Sequence, residues 1–536
     1  MAAIIHQKDN RSGITYAYES ISYWDKEKQQ SRAKRTLIGR VDTATGQIVP
    51  TDGRRKKPID AESPRKRGPV PSLETNRCFY GATYLLDAIG EKLGIIQDLK
   101  KCFPDSYQQM LSIIYFLVLE DHTPLYRFEK WGELHRHPCG KEITSQRSSE
   151  LFASVTESKK QEFFQLQGKR RSEREFWAYD ITSFSSYSEC LKLVQYGNNK
   201  EGDHLPQLNL ALVFGEDSNL PFYYRKLAGN IPDSKTVKQL LADLAILGFS
   251  KVKLVMDRGF YSEDNLNALF KDHTKFLIAG KMSLSWIRQE LDSSYDIFRS
   301  YDVYDESYQL YCRTMTTQWN YTQKQPYKGE LISEPRRIYL HYYYNIDKAA
   351  EQEKTFDKNL MQLRRELESG NRRPEHETQY KKYFEMKTTP KRGTGVKVKE
   401  DVITQTKRYF GFFVLITNET MDAITALEIY RNKDLIEKAF GNLKERLNLR
   451  RTLVSSEQCL EGKFFLEFVA LIYLSYIKKR MQISGLFQHY TIPRALDKLD
   501  VIECFSSPGS QLRVGEILEK QKTIYLALDV EPPTSL

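Results

Sequence analysis

Between Phe176 and Gly280 short apolar runs alternate with amphipathic ones in an order that few architectures accommodate. FWAYDIT is a short aromatic strand. LNLALVFGE and LPFYYRKLA are two more, joined by D-S-N as a hairpin. PDSKTVKQLLADLAILG has the helical period, with Pro232 and Asp233 at its start and Gly248 at its end. KVKLVMD is another buried strand, and the turn R-G-F-Y, the helix SEDNLNALFKDH and the strand KFLIAG complete the run. The order β-β-β-α-β-α-β predicts a mixed α/β sheet.

Two of these strands end in acids, Asp180 and Asp257. A carboxylate at the C-terminal end of a strand projects into the crevice where α/β sheets bind ligands. If the first and fourth strands are neighbours, the two acids are adjacent. They then form a pair of hard oxygen ligands suited to Mg²⁺ or Mn²⁺. Taken singly, Asp180 also reads as a turn or capping acid before T-S-F-S, and Asp257 as the ion-pair partner of Arg258.

A third acid lies on the stretch Tyr430–Lys444, which has the period of an amphipathic helix. Ile429, Ile436, Phe440, Leu443 and Leu447 make its apolar stripe. Tyr430, Lys433, Glu437 and Lys444 form a separate row within roughly 60° of one another. The row reads either as a solvated face with an i,i+4 pair or as a metal-binding carboxylate flanked by groups that hold phosphate and base. With all three acids in one site, two ions about 3.5–4 Å apart would suit in-line attack on a phosphodiester.

The rest of the chain frames that site. At 536 residues it predicts two to four domains. The 81 Lys and Arg exceed the 70 Asp and Glu by 11 and are clustered, which suits a polyanionic partner. Seven scattered cysteines with no C-x-x-C favour a reduced, cytoplasmic protein. The start lacks the pattern of a signal peptide, and the apolar runs Met110–Leu119 and Phe464–Ile477 read as buried helices, not membrane spans. Residues 14–24 and TLIGRV predict a β-hairpin module, and GRRKKPIDAESPRKRGPVP a basic flexible linker. Residues 80–165 read as helical, with Ser148 or Ser149 as a cap. His135, His137 and Cys139 lack the second ligand pair that a zinc site needs. Tyr-rich strands after residue 281 enclose the charged helical stretches AAEQEKTFDKNLMQLRRELESG and QYKKYFEMK, and RYFGFFVLITN returns to a core strand.

FWAYDITS, LVMDRGFYS and the row Tyr430, Lys433, Glu437, Lys444 together resemble a DDE transposase of the bacterial insertion-sequence 4 superfamily, in its group with a long β-rich insertion. The family's helix pattern is Tyr, two residues, Arg, three residues, Glu, six residues, Lys, and Lys433 here stands where Arg is usual. Asp257 follows Asp180 by 77 residues and Glu437 follows Asp257 by 180, which leaves room for the insertion. The resemblance implies an RNase H-like catalytic domain that uses two Mg²⁺ or Mn²⁺ ions to cut transposon ends and join them to target DNA. It implies Asp180, Asp257 and Glu437 as catalytic metal ligands, and Tyr430, Lys433, Lys444 and Arg258 as DNA contacts. The partners implied are double-stranded terminal repeats and target DNA, with a homodimer in the synaptic complex and no membrane. The place of action implied is the bacterial cytoplasm, at the nucleoid. The expected organisation is a β-hairpin module (1–52), a basic Pro/Gly linker (53–75), a helical DNA-binding domain (76–170), the first part of the catalytic core (171–281), the β-rich insertion (282–407), the second part of the core with the Glu helix (408–480), and a C-terminal helical region and tail (481–536). The same acids also fit a nuclease without strand transfer, and a domesticated DNA-binding protein is a further reading. No P-loop, H-E-x-x-H or G-x-S-x-G occurs.

Overall fold

Four antiparallel strands open the chain: β1 (Ala2–Lys8), β2 (Thr15–Asp25), β3 (Gln30–Val41) and β4 (Ile48–Val49). They pair in sequence order. The structure, a computed structural model, describes all residues except 1, 52–74, 121–122, 171–174, 187–190, 198–203, 250, 325–330, 390–392, 442, 445–455, 508–510 and 535–536. The chain divides into two compact units, Met1–Pro71 and Ser72–Leu536. The basic segment expected at 53–75 lies, but for Thr75, outside the described residues, as does Leu447 of the apolar stripe.

The second unit begins with β5 (Asn76–Phe79) and six helices: α1 (Gly81–Lys92), α2 (Ile95–Cys102), α3 (Tyr107–Leu119), α4 (Phe128–Leu134), α5 (Ser145–Ala153) and α6 (Glu157–Lys169). Gly94, at φ 71°, separates α1 from α2 in a conformation that costs a glycine little. The cap of α5 is Thr144, whose side chain accepts from the Arg147 amide, and not Ser148 or Ser149. Ser148 is already inside the helix, bonded back to the Thr144 carbonyl. His135 bonds Asp500 at 2.9 Å and His137 bonds Ser112 at 2.9 Å, so both imidazoles have structural partners.

The sheet follows. Its elements are β6 (Phe176–Ser185), β7 (Gln207–Gly215), β8 (Pro221–Ala228), α7 (Val237–Ile246), β9 (Lys253–Met256), α8 (Glu263–Lys271) and β10 (Lys275–Gly280). After α9 (Ser285–Asp292) come β11 (Tyr304–Asp305), β12 (Leu310–Lys324) and β13 (Leu331–Tyr344). Next are α10 (Ile346–Glu368), α11 (Glu377–Tyr383), β14 (Phe384–Thr389), β15 (Gly393–Val398) and α12 (Glu400–Lys407). The stretch QYKKYFEMK is thus helix only to Tyr383 and strand from Phe384, where it pairs with β15. The chain closes with β16 (Phe412–Thr417), α13 (Ala423–Asn432), α14 (Asp434–Gly441), α15 (Glu457–Ile483), α16 (Ile492–Asp500), β17 (Glu503–Ser506), β18 (Arg513–Val514) and α17 (Glu519–Ala527).

Nine strands form one mixed sheet in the order β11-β12-β13-β16-β10-β9-β6-β7-β8. β6, β9 and β10 run parallel, as their helical crossovers require. The other pairings are antiparallel. Every residue of β7 is buried, so both faces of the sheet are covered there. The segment between β10 and β16 therefore has two fates. β11–β13 extend the main sheet, and α10–α12 with β14 and β15 pack around their own small core of Leu363, Leu367, Tyr380, Tyr383, Phe384 and Ile403. α15, buried throughout Phe464–Ile477, packs against α3, α5 and β8 and ties the helical region to the sheet.

Candidate active site

β6 and β9 are parallel neighbours, with Trp177 opposite Leu254, Ala178 opposite Val255 and Tyr179 opposite Met256. The next residue on each strand is an acid, Asp180 and Asp257. Asp180 does not end its strand, contrary to the expectation from sequence. β6 runs on to Ser185 because β7 keeps pairing with it, Asp180 opposite Leu212 and Ser185 opposite Gln207. What ends at Asp180 is the parallel ladder to β9. Asp257 leads into a single 3₁₀ turn, Arg258–Phe260, which holds Arg258 exposed beside it.

α13 is started by Asp422, whose side chain accepts from the Thr425 amide, and buries Ala423, Ala426 and Leu427. It brings Tyr430 to the acids. The Tyr430 hydroxyl donates to Asp257 Oδ1 at 2.7 Å. Burial, and then the charge of Asp257, push the Tyr430 hydroxyl well above its ordinary pKa, so it stays a donor. Burial works against the charge of Asp257, but the Tyr430 hydrogen bond and the Lys433 and Arg258 charges outweigh it and hold the carboxyl below its usual range.

The expected single helix is broken at Lys433. The amide of Lys433 bonds to the Tyr430 carbonyl at 3.2 Å and that of Ile436 to the Lys433 carbonyl at 2.9 Å, a tightened turn between α13 and α14. This turn tucks the Lys433 side chain inward, only 5% exposed, with its ammonium 3.9 Å from Asp257 Oδ2 and 3.8 Å from Glu437 Oε1. The same ammonium lies 5.4 Å from the centre of the Tyr430 ring. Glu437 itself is largely exposed. Lys444 is half-buried and packs 5.6 Å from the centre of the Phe184 ring, near the far end of β6.

The fold thus gathers Asp257, Tyr430, Lys433 and Glu437 in direct contact, sets Asp180 beside Asp257 by register, keeps Arg258 adjacent, and places Lys444 further along β6. The donor set is all carboxylate oxygen, which fits a hard divalent cation. One cationic group, the Lys433 ammonium, already stands within 4 Å of two of the three acids. Among the described residues no group of three or more His, Cys, Asp or Glu is gathered closely enough to hold a metal ion.

Sequence reasoning missed a cleft of about 470 Å³ on the other flank of the α13–α14 turn. Arg431, Lys438 and Lys479 line it with Glu216 and Asp217. The Asn432 amide donates to Glu216, whose carboxyl is pushed up by burial. Lys479 Nζ donates to the Asp217 carbonyl at 2.7 Å. Three distant segments build this cleft, so no local pattern distinguishes Lys438 from any other surface lysine.

The structure is thus a mixed α/β sheet with two acids abreast on neighbouring parallel strands and a third acid on a helix beside them. The Transposase DDE domain family matches residues 171–473, more than half of the chain. The chain belongs to that family. No curated protein matches it. Among solved structures it is similar to the cryo-EM structure of a piggyBac transposase synaptic complex with hairpin DNA, at 11% identity over 77% of this chain and 70% of that one, with a TM-score of 0.34. No described helix is long and apolar enough to cross a membrane.

Proposed function

We propose that this protein is a transposase that binds the ends of an insertion sequence of the insertion-sequence 4 superfamily, cleaves the DNA there and joins it to a target. The observation that carries the reading is the β6–β9 register, which sets Asp180 and Asp257 side by side under the helix that bears Glu437. Asp180, Asp257 and Glu437 would hold Mg²⁺ or Mn²⁺, which supplies Lewis-acid stabilisation of charge on the phosphate and its leaving oxygen. The chain's own groups prepare that site. Tyr430 fixes one oxygen of Asp257 and keeps the carboxyl ionised. Lys433 balances the charge of two acids that would otherwise repel. Arg258 is exposed beside Asp257, where a phosphate would approach. Lys444 and the cationic flank of Arg431, Lys438 and Lys479 extend the positive surface along which a DNA backbone runs. Joining two ends calls for two copies of the chain, so a homodimer is part of the proposal.

The test is a set of single variants, Asp180→Ala, Asp257→Ala and Glu437→Ala. Each should lose Mg²⁺-dependent cleavage of end DNA by a factor of about 10³ or more while retaining most of its DNA affinity. Full cleavage by any one variant would remove that acid from the site. Cleavage without joined product by the unaltered protein would favour the nuclease reading.

A further inference from the structure

We infer that the N-terminal sheet is a second DNA-binding surface, in which the β2–β3 ribbon enters the major groove of duplex DNA. The inference takes its partner from the proposed function but rests on residues of the other compact unit, none of which is among the acids.

The ribbon is bare over much of its length. β1 pairs with β2 only as far as Ile21, and β4 pairs with β3 only at Arg40 and Val41. From Ser22–Asp25 and Gln30–Ala33 the sheet is two strands wide. All nine residues from Gln30 to Ile38 are exposed. A two-stranded ribbon is marginally stable in water, so side chains kept out in solvent there are not paying their way by burial.

Its chemistry is selective. β3 carries Arg32, Lys34, Arg35 and Arg40 and no acid. Residues paired across antiparallel strands share a face. Arg32 lies opposite Tyr23 and Lys34 opposite Ile21, while Arg35 lies opposite Ser20 and Ser31 opposite Trp24. Arg32, Lys34 and Tyr23 therefore occupy one face, and Arg35 and Trp24 the other. Cations on an open edge also block sheet-to-sheet aggregation. That role does not call for the aromatics beside them, Tyr23 at 49% exposure and Trp24 at 62%. Two strands spaced about 4.8 Å apart fit a major groove about 12 Å wide, whose two walls are rows of phosphates. Laid flat in the groove, the ribbon sets one face on the base edges, its long cationic side chains reach out to the flanking phosphates, and the aromatic rings offer apolar contact to thymine methyls or stack on sugars. Only Arg32 has an internal ion pair among the described residues of the ribbon, with Asp25 at 3.6 Å, and at 45% side-chain exposure it can exchange that for phosphate.

The experiment compares the full chain with the triple variant Arg32→Ala, Lys34→Ala, Arg35→Ala, using a fluorescein-labelled random-sequence duplex and anisotropy across a salt series. The variant should bind roughly tenfold or more weakly at about 0.15 M salt, and its log–log salt slope should fall by about 2 to 3, near 0.9 per lost phosphate contact. A double variant, Tyr23→Ala with Trp24→Ala, should weaken binding while keeping the slope. Unchanged affinity and slope in a triple variant with native circular dichroism would overturn the inference. So would a halved mass by light scattering with DNA binding intact, which would assign the ribbon to a second copy of the chain. So would loss of binding to phosphatidylglycerol vesicles alone. Asp257→Ala, measured in parallel, reports on cleavage, so failure of the proposed chemistry and failure of the ribbon are read separately.

Discussion

Lys433 and Tyr430 hold Asp257 from two sides, one by charge and one by a hydrogen bond. Where the family pattern has Arg, a lysine offers a point charge instead of a planar fork. Here that compact charge fits a 5%-exposed niche between two carboxylates. Tyr430→Phe tests the other support. Removing a hydrogen bond to a charged acceptor should cost about 1.5 kcal/mol at pH 7, the low end of the range because Asp257 is 43% exposed. Because the folded carboxyl is held below its ordinary value of 3.8, its contribution is complete above that value and is lost as pH falls through the lower folded value. The gap between Tyr430→Phe and the unaltered protein in chemical denaturation should therefore be full at neutral pH and close in strong acid; a gap independent of pH would deny the link to Asp257. Residue by residue, the adjacency of Asp180 and Asp257 was legible because each follows a buried apolar run on a parallel strand, whereas the continuation of β6 past Asp180 was not, because it depends on pairing with β7. The burial of Lys433 was not, since it depends on a turn geometry that spacing alone cannot specify, and the cationic flank of Lys438 and Lys479 depends on segments brought together only by the fold.

Among the elements, period and breakers located the strands and helices of the core, because a sheet buried on both faces demands continuous apolar runs. Two features escaped that reading. The helix break at Lys433 leaves the apolar stripe intact, so period does not register it. The Tyr-rich strands after residue 281 read as an inserted body, yet β12 and β13 find their partner in β16 and join the main sheet. Hydrogen bonding across a sheet edge is not encoded in local pattern. Packing of α15 on α5 is a further case. At Gly462 a Cβ would fall 2.2 Å from the Phe152 carbonyl oxygen. Alanine favours a helix by about 1 kcal/mol over glycine, but here the obstacle is backbone. Gly462→Ala should therefore destabilise the protein by about 1–3 kcal/mol. Thermal denaturation would check it, and a raised midpoint would mean that the two helices slide apart freely.

Across the whole molecule the helical region and the sheet share one core, and α15 runs through it with Glu467 only 1% exposed. Among the described residues neither oxygen of Glu467 has a hydrogen-bond partner, although Lys463 Nζ stands 3.8 Å from one. Burial raises its pKa to about 8. A carboxyl whose folded value exceeds its ordinary 4.5 contributes most below 4.5, and that contribution is lost as pH rises through about 8. The cost reaches on the order of 3 kcal/mol by pH 7. Glu467→Gln should flatten the dependence of stability on pH between 5 and 8, within the range where about 1.4 kcal/mol accrues per unit; an unchanged slope in urea titrations would place the dependence elsewhere. The position of β16 between β10 and β13 has a consequence for synthesis. β10 ends at Gly280 and β16 at Thr417, so 137 residues must leave the ribosome before that edge of the sheet is covered. At ordinary elongation rates this takes roughly 7 to 27 seconds. Nascent chains stalled before residue 411 should be cut by protease in β10, and chains stalled well past Thr417 should resist. The nascent protein thus passes through an interval in which half of its sheet is formed and one edge is open to any neighbouring strand.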